Sequence, residues 1–134
     1  MRVLLVDDNT DSIQTASALF ALEGHIVTVA SDPHEALAHA SATRPEVVIL
    51  DIGMPGMNGF ELARALRALN QKPRPLIIAV SGYTEAGHVK RGAEAGFDFH
   101  YPKSIDPNVI LETVRHHAAR IAQTGLDNPS GKPH

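Results

Sequence analysis

The sequence predicts an open α/β fold, a doubly wound five-stranded parallel sheet with helices on both faces. Three observations predict it. Short apolar runs alternate with helical patterns along the chain, as repeated βα units require. The first, third and fourth runs (residues 2–6, 46–50 and 76–80) are apolar without interruption once begun, as strands covered on both faces are. The second and fifth (25–30 and 97–101) are broken by polar residues, as edge strands tend to be. Three central strands and two edges fit the order 2-1-3-4-5.

Each element has a local reason. Strand 2–6 leads into a helix over 10–23, in which Ile13, Ala16 and Phe20 share a face, and Gly24 ends it. After strand 25–30 come Asp32 and Pro33, with Glu35 three residues beyond the aspartate. These are an N-cap, a proline at the first helical position and a capping-box partner, opening a helix that runs to about residue 42. Strand 46–50 is followed by residues 52–58 (Ile-Gly-Met-Pro-Gly-Met-Asn), too rich in glycine and proline for regular structure. The next helix covers 59–70, with Leu62, Leu66 and Leu69 in register. Strand 76–80, a weak helix over 84–95 and strand 97–101 complete the alternation, and Asp106-Pro107 caps a last helix with Ile110, Val114, Ala118 and Ile121 on one face. Residues 1–122 are expected to form one domain and 123–134 a flexible tail.

Composition narrows the functional classes. A chain of 134 residues with 43% hydrophobic and 20% charged residues is that of one globular domain with a single core. A net charge of −3 gives no bulk attraction for nucleic acid. There is no cysteine, hence neither disulfides nor thiolate chemistry. The opening apolar run turns acidic by residue 7, too early for a signal peptide, and no run approaches a membrane span. A cytoplasmic location is therefore expected.

Four points carry chemistry, each at the end of an apolar run: Asp7-Asp8, Asp51, Ser81 and, just past the fifth, Lys103. All strands of an open parallel sheet end on one edge, so these residues are expected to converge on a crevice between strands one and three. Three carboxylates there suit a hard divalent cation, magnesium or manganese, which prefers oxygen ligands. Asp8 is then a direct ligand and Asp7 a second acid, directly or through a coordinated water, and the backbone carbonyl of Gly53 is a further candidate. Asp51 is the candidate nucleophile. A carboxylate can take a phosphoryl group as an acyl phosphate, provided a cation screens the approach of one anion to another. Lys103 would neutralise one phosphoryl oxygen as a point charge, and Ser81 would hydrogen-bond another. Seen singly, each residue has an ordinary role: an N-cap, a turn former, a solvated lysine. Their joint occurrence, in order and each at a strand's C-terminal end, points to a phosphate-accepting site.

These residues also carry a family resemblance. Asp7-Asp8, the stretch Val-Val-Ile-Leu-Asp51-Ile-Gly-Met-Pro-Gly-Met-Asn-Gly59, Ser81-Gly82 and Tyr-Pro-Lys103 resemble the receiver domain of two-component response regulators, over residues 2 to 121. Two stretches are similar to receivers fused to hybrid histidine kinases. The resemblance implies a flavodoxin-like receiver fold and a signalling domain, not an enzyme, whose only catalysis is its own phosphotransfer and dephosphorylation. It implies that Asp51 accepts phosphate from a histidine kinase or histidine phosphotransfer protein, with magnesium required. Ser81 then moves toward the phosphoryl group, and the face made by the fourth helix, fifth strand and fifth helix reports the change. A monomer or weak dimer is expected, with output through a downstream protein partner or a domain outside this chain, and no contact with nucleic acid or membrane.

The chain departs from the family pattern in three places. Ser104 follows Lys103 where the family has proline, so that bond is either trans with a shifted loop or cis and held by the site. The family's switch aromatic corresponds to His100, which is either an inward-turning, pH-sensitive switch or a half-exposed edge-strand histidine. Gly87 and Gly92 each cost about 1 kcal/mol relative to alanine in a helix interior, so the helix over 84–95 is expected to be the least stable and to rearrange on phosphorylation. Tyr83 and Gly53 flank the path of the attacking water. Lys90 and Arg91 are expected to be solvated, and the histidines have no zinc-like spacing. Two rivals remain: a magnesium-dependent phosphohydrolase, disfavoured because no second acid lies two residues after Asp51, and a degenerate receiver that binds partners without being phosphorylated.

Overall fold

The computed structural model describes residues 1–52, 59–72, 74–81, 95–102 and 104–123. Among them are five strands, β1 (Arg2–Val6), β2 (Ile26–Ala30), β3 (Val47–Asp51), β4 (Leu76–Ser81) and β5 (Phe99–Pro102). Four helices accompany them: α1 (Thr10–Leu22), α2 (Pro33–Thr43), α3 (Gly59–Ala68) and α4 (Pro107–Gln123). The strands form one sheet in the order β2-β1-β3-β4-β5, every pairing parallel. This is the expected doubly wound topology, with β2 and β5 at the edges.

Alternation along the strands divides the core. Successive strand side chains point to opposite faces. Leu4, Val6, Val48, Leu50 and Ile77 therefore join Ala36, Ala40, Leu62 and Leu66 of α2 and α3 on one face. Val3, Leu5, Ile49 and Ile78 join Phe20 of α1 and Leu111 and Val114 of α4 on the other. Leu111 was not among the residues expected on the last helix's buried face, and of those that were, only Val114 is fully buried.

Local signals act much as their chemistry predicts. Asp32 Oδ1 accepts from the Glu35 amide at 2.8 Å, the expected cap, while Glu35 Oε1 accepts from Ser31, one residue before the cap. Gly24 follows α1 with φ +88°. Several boundaries differ from expectation. Both β3 and β4 run one residue further, so Asp51 and Ser81 are strand residues. The fifth strand begins at Phe99 because Asp98 is committed to Ile77: its amide donates to Ile77 O and its carboxylate accepts from Ile77 N, each at 2.8 Å. Helix α3 stops at Ala68, and the following turn carries Leu69 outward, 37% exposed, instead of into the register of Leu62 and Leu66. Of the helix expected over 84–95, only Ala95 lies within the described residues. Gly53, Tyr83, Gly87, Lys90, Arg91, Gly92, Lys103 and the tail from 124 lie outside them.

Candidate functional site

The register of the central strands assembles the site. The β1–β3 ladder ends with Val6 opposite Leu50, so Asp7 and Asp51 come next, side by side on the sheet's C-terminal edge. The Asp7 amide holds the turn by donating to Ala30 O of β2 at 3.1 Å. Neither Asp7 nor Asp8 caps α1. Asn9 does so, its side chain accepting from the Ser12 amide at 3.0 Å, and Asp7 Oδ1 in turn accepts from the Asn9 amide at 2.9 Å. With capping done by Asn9, Asp7 braces the turn before α1 through the Asn9 amide and Asp8 has no capping role.

One carboxylate oxygen each from Asp7, Asp8 and Asp51 lies within 4.8 Å of the others. Asp51 is 4% exposed, Asp7 half-buried and Asp8 exposed, so the cluster grades from the sheet edge into solvent. Like charges this close repel, and an all-oxygen set of three carboxylates with one open side matches what magnesium takes: a few carboxylates, with waters completing its shell. The residues fit a divalent cation.

The chain beyond Asp51 is tied back at once. Ile52 N donates to Val80 O at 3.1 Å, and Gly59 N donates to Ile52 O at 3.0 Å, bringing Ile52 and Gly59 together. A Cβ at Gly59 would stand 2.6 Å from the Ile52 Cα, so this approach of α3 to the end of β3 requires glycine.

Ser81 ends β4 one position beyond Val80, the partner of Asp51, and is 6% exposed. Its hydroxyl lies 3.0 Å from His100 Nε2, and the imidazole stands edge-on to Phe97 at 6.0 Å. His100, half-buried on the edge strand β5, is thus turned toward Ser81. The pairing had no sequence signal, because it depends on His100 lying opposite Ala79 in the β4–β5 register. The structure therefore brings together Asp7, Asp8 and Asp51, and separately Ser81 with His100. Lys103 and Gly53 lie outside the described residues.

A second feature escaped sequence reasoning. Arg67 of α3 donates to the carbonyls of Gly96 and Pro75 and to Asp98 Oδ2, at 2.6–3.2 Å. Asp98 also accepts from Arg74 at 3.0 Å. This cluster fastens α3 to the N-terminal ends of β4 and β5, opposite the acidic edge. An Asp after an apolar residue at a strand start is the only hint the sequence offers.

Comparison with known proteins agrees with this architecture. Residues 3–115 match the sequence model of the response regulator receiver domain. The DNA-binding response regulator MtrA of Mycobacterium leprae is 30% identical over 141 residues, covering 98% of this chain and 61% of that protein. The chain thus spans about three-fifths of the length of such relatives. Among solved structures, the chemotaxis response regulator CheY4 of Vibrio cholerae superposes with a TM-score of 0.80 at 32% identity, covering 87% of this chain and 97% of that one. A CheY-like receiver domain protein from Methanospirillum hungatei gives 0.83 at 27% identity, covering 91% and 96%.

Proposed function

Because the chain belongs to the response regulator receiver domain family of two-component systems, we propose that it is a phosphorylation switch whose acceptor is Asp51. The observation that carries this reading is the meeting of Asp7, Asp8 and Asp51 within 4.8 Å at the sheet's C-terminal edge. The donor is a phosphohistidine on a histidine kinase or phosphotransfer protein. An Asp51 carboxylate oxygen attacks phosphorus in line, the phosphorus–nitrogen bond breaks, and the leaving imidazole keeps its electron pair. Asp7, Asp8 and Asp51, with the carbonyl of Gly53, would hold the magnesium, which when bound offsets the repulsion between carboxylate and phosphoryl oxygens. Burial of Asp51 at the end of a strand holds its carboxylate in place. The reading assigns Lys103 as countercharge to a phosphoryl oxygen and Ser81 as donor to another, both from sequence. Ser81 leaves His100 as it turns to the phosphoryl group, and the face around β5 and α4 reports the exchange.

The test is direct. The protein is incubated with acetyl phosphate and magnesium and weighed intact by mass spectrometry. A gain of one phosphoryl group that is lost in Asp51→Asn supports the reading. No gain in the wild type, with circular dichroism showing a folded chain, favours the degenerate, unphosphorylated alternative. An undiminished gain in Asp51→Asn removes Asp51 as acceptor.

A further inference from the structure

Helices α1 and α4 cover one face of the sheet without closing over it. Among the described side chains of α1, only Phe20 is fully buried, while Ile13, Ala16 and Leu19 are half-buried. Between the helices lies a cleft of about 420 Å³. Small-molecule sites run from about 300 to 1,000 Å³. Its floor is Leu5, Ile49 and Val80 of the sheet, and Ile13, Ala16 and Ile110 belong to its walls. Beyond one end, Arg115 of α4 pairs with Glu23 at 2.8 Å and ties the last turn of α1 across to α4. Elsewhere the lining turns polar, with Asp7, Asp11, Ser12 and Thr15. No described lining residue is basic.

That distribution of charge selects an occupant. An apolar body leaves water for the aliphatic floor, which favours it in proportion to the area covered. A cationic head meets two carboxylates, and a charge-assisted hydrogen bond is roughly twice as strong as a neutral one. An anionic head on the same body would be repelled. We propose that the cleft between α1 and α4 binds a small organic cation, a flat apolar body carrying a primary ammonium that pairs with Asp7 and Asp11. The hydroxyl of Ser12 or of Thr15 accepts its one remaining hydrogen. Binding rests on the cleft alone. One consequence rests on the receiver reading: Asp7 belongs to both sites, so occupancy competes with the divalent cation and raises the magnesium needed to phosphorylate Asp51.

Three probes share one ring system and differ in charge: tryptamine, the neutral alcohol tryptophol, and indole-3-propionate. Binding is followed by amide chemical shifts of the intact chain without magnesium or phosphodonor, so the outcome is independent of whether Asp51 is phosphorylated. The expected result is saturable tryptamine binding, about millimolar or tighter, with shifts confined to α1, α4 and the ends of β1 and β3. Tryptophol should bind about fivefold more weakly, and the propionate more weakly still. Ala16→Leu, which fills the cleft, should abolish binding in a chain whose remaining spectrum is native. Asp11→Asn, an exposed change in the first turn of α1, should narrow the gap between tryptamine and tryptophol. Equal binding of the three probes, tryptamine binding that survives Ala16→Leu, or an unchanged gap in Asp11→Asn would overturn the proposal. So would the absence of saturable binding, which would leave the cleft to a second copy or a protein partner.

Discussion

At the scale of single residues, the pairing of Ser81 with His100 is what most separates this chain from a generic sheet edge. A serine hydroxyl forms few bonds, and in the described state one runs to His100 Nε2 at 3.0 Å. On the proposed reading, a phosphoryl group on Asp51 draws the hydroxyl away, so the imidazole must find a new arrangement. The ¹⁵N resonances of the His100 ring are therefore expected to move on phosphorylation, and to move less in Ser81→Ala, where the bond is already absent. Resonances that stay put in the phosphorylated wild type would show that the two residues are not exchanged by the switch. Gly59 acts at the same scale. Its missing side chain lets α3 touch Ile52, directly after Asp51.

At the scale of elements, the Arg67–Asp98 cluster fastens α3 to the N-terminal ends of β4 and β5. Arg67 and Asp98 are both largely shielded, with 18% and 21% of their side chains exposed, and each also bonds backbone groups of other elements. Removing one partner leaves a charge and several backbone groups without compensation. Asp98→Ala is expected to lower stability by about 2–4 kcal/mol, below the upper range for a fully buried pair because part of the cluster is solvated. The drop should appear in the urea midpoint. A loss under about 0.5 kcal/mol would mean that the cluster is no more than a surface salt bridge. The capping of α2 by Asp32 is a smaller, local term of about 1 kcal/mol.

At the scale of the whole molecule, two linked equilibria are built into the charge distribution. Three carboxylate oxygens within 4.8 Å repel one another, and a bound divalent ion would offset that repulsion. Magnesium at about one hundred times its dissociation constant should therefore raise stability by about 2.7 kcal/mol. Asp8→Asn should make the metal-free protein more stable by about 1 kcal/mol while removing most of the magnesium increment. Thermal melts with and without magnesium check both, and an equal magnesium response in the variant would remove Asp8 from the ligand set. The second equilibrium involves protons. Burial, then the nearby Arg120 charge, holds His117 below its ordinary value, and burial followed by the N-terminal ammonium does the same for His25. A histidine with a depressed folded pKa binds fewer protons folded than unfolded, so its contribution is complete above the unfolded value of about 6.5 and is lost as pH falls below it. The urea midpoint is expected to fall between neutral pH and pH of about 5, with a shallower slope in His117→Gln. An identical slope in the variant would place the proton uptake elsewhere.

Much of this molecule was legible in its sequence because the signals were local or periodic. Uninterrupted apolar runs mark strands covered on both faces, polar breaks mark the edges, and the doubly wound order follows. The meeting of the acids at 7, 8 and 51 was legible because a parallel sheet delivers all its strand ends to one rim. Only the tertiary structure decided the rest. That Asn9 and not the acid pair caps α1, that His100 turns to Ser81, that Arg67 reaches Asp98, and that α1 and α4 leave a cleft between them all depend on the register of neighbouring strands and the distance between packed helices. Those are properties of pairs of elements remote in the chain. Residue type and spacing encode what each element is, but the few ångströms separating one element from another are set when the entire core packs.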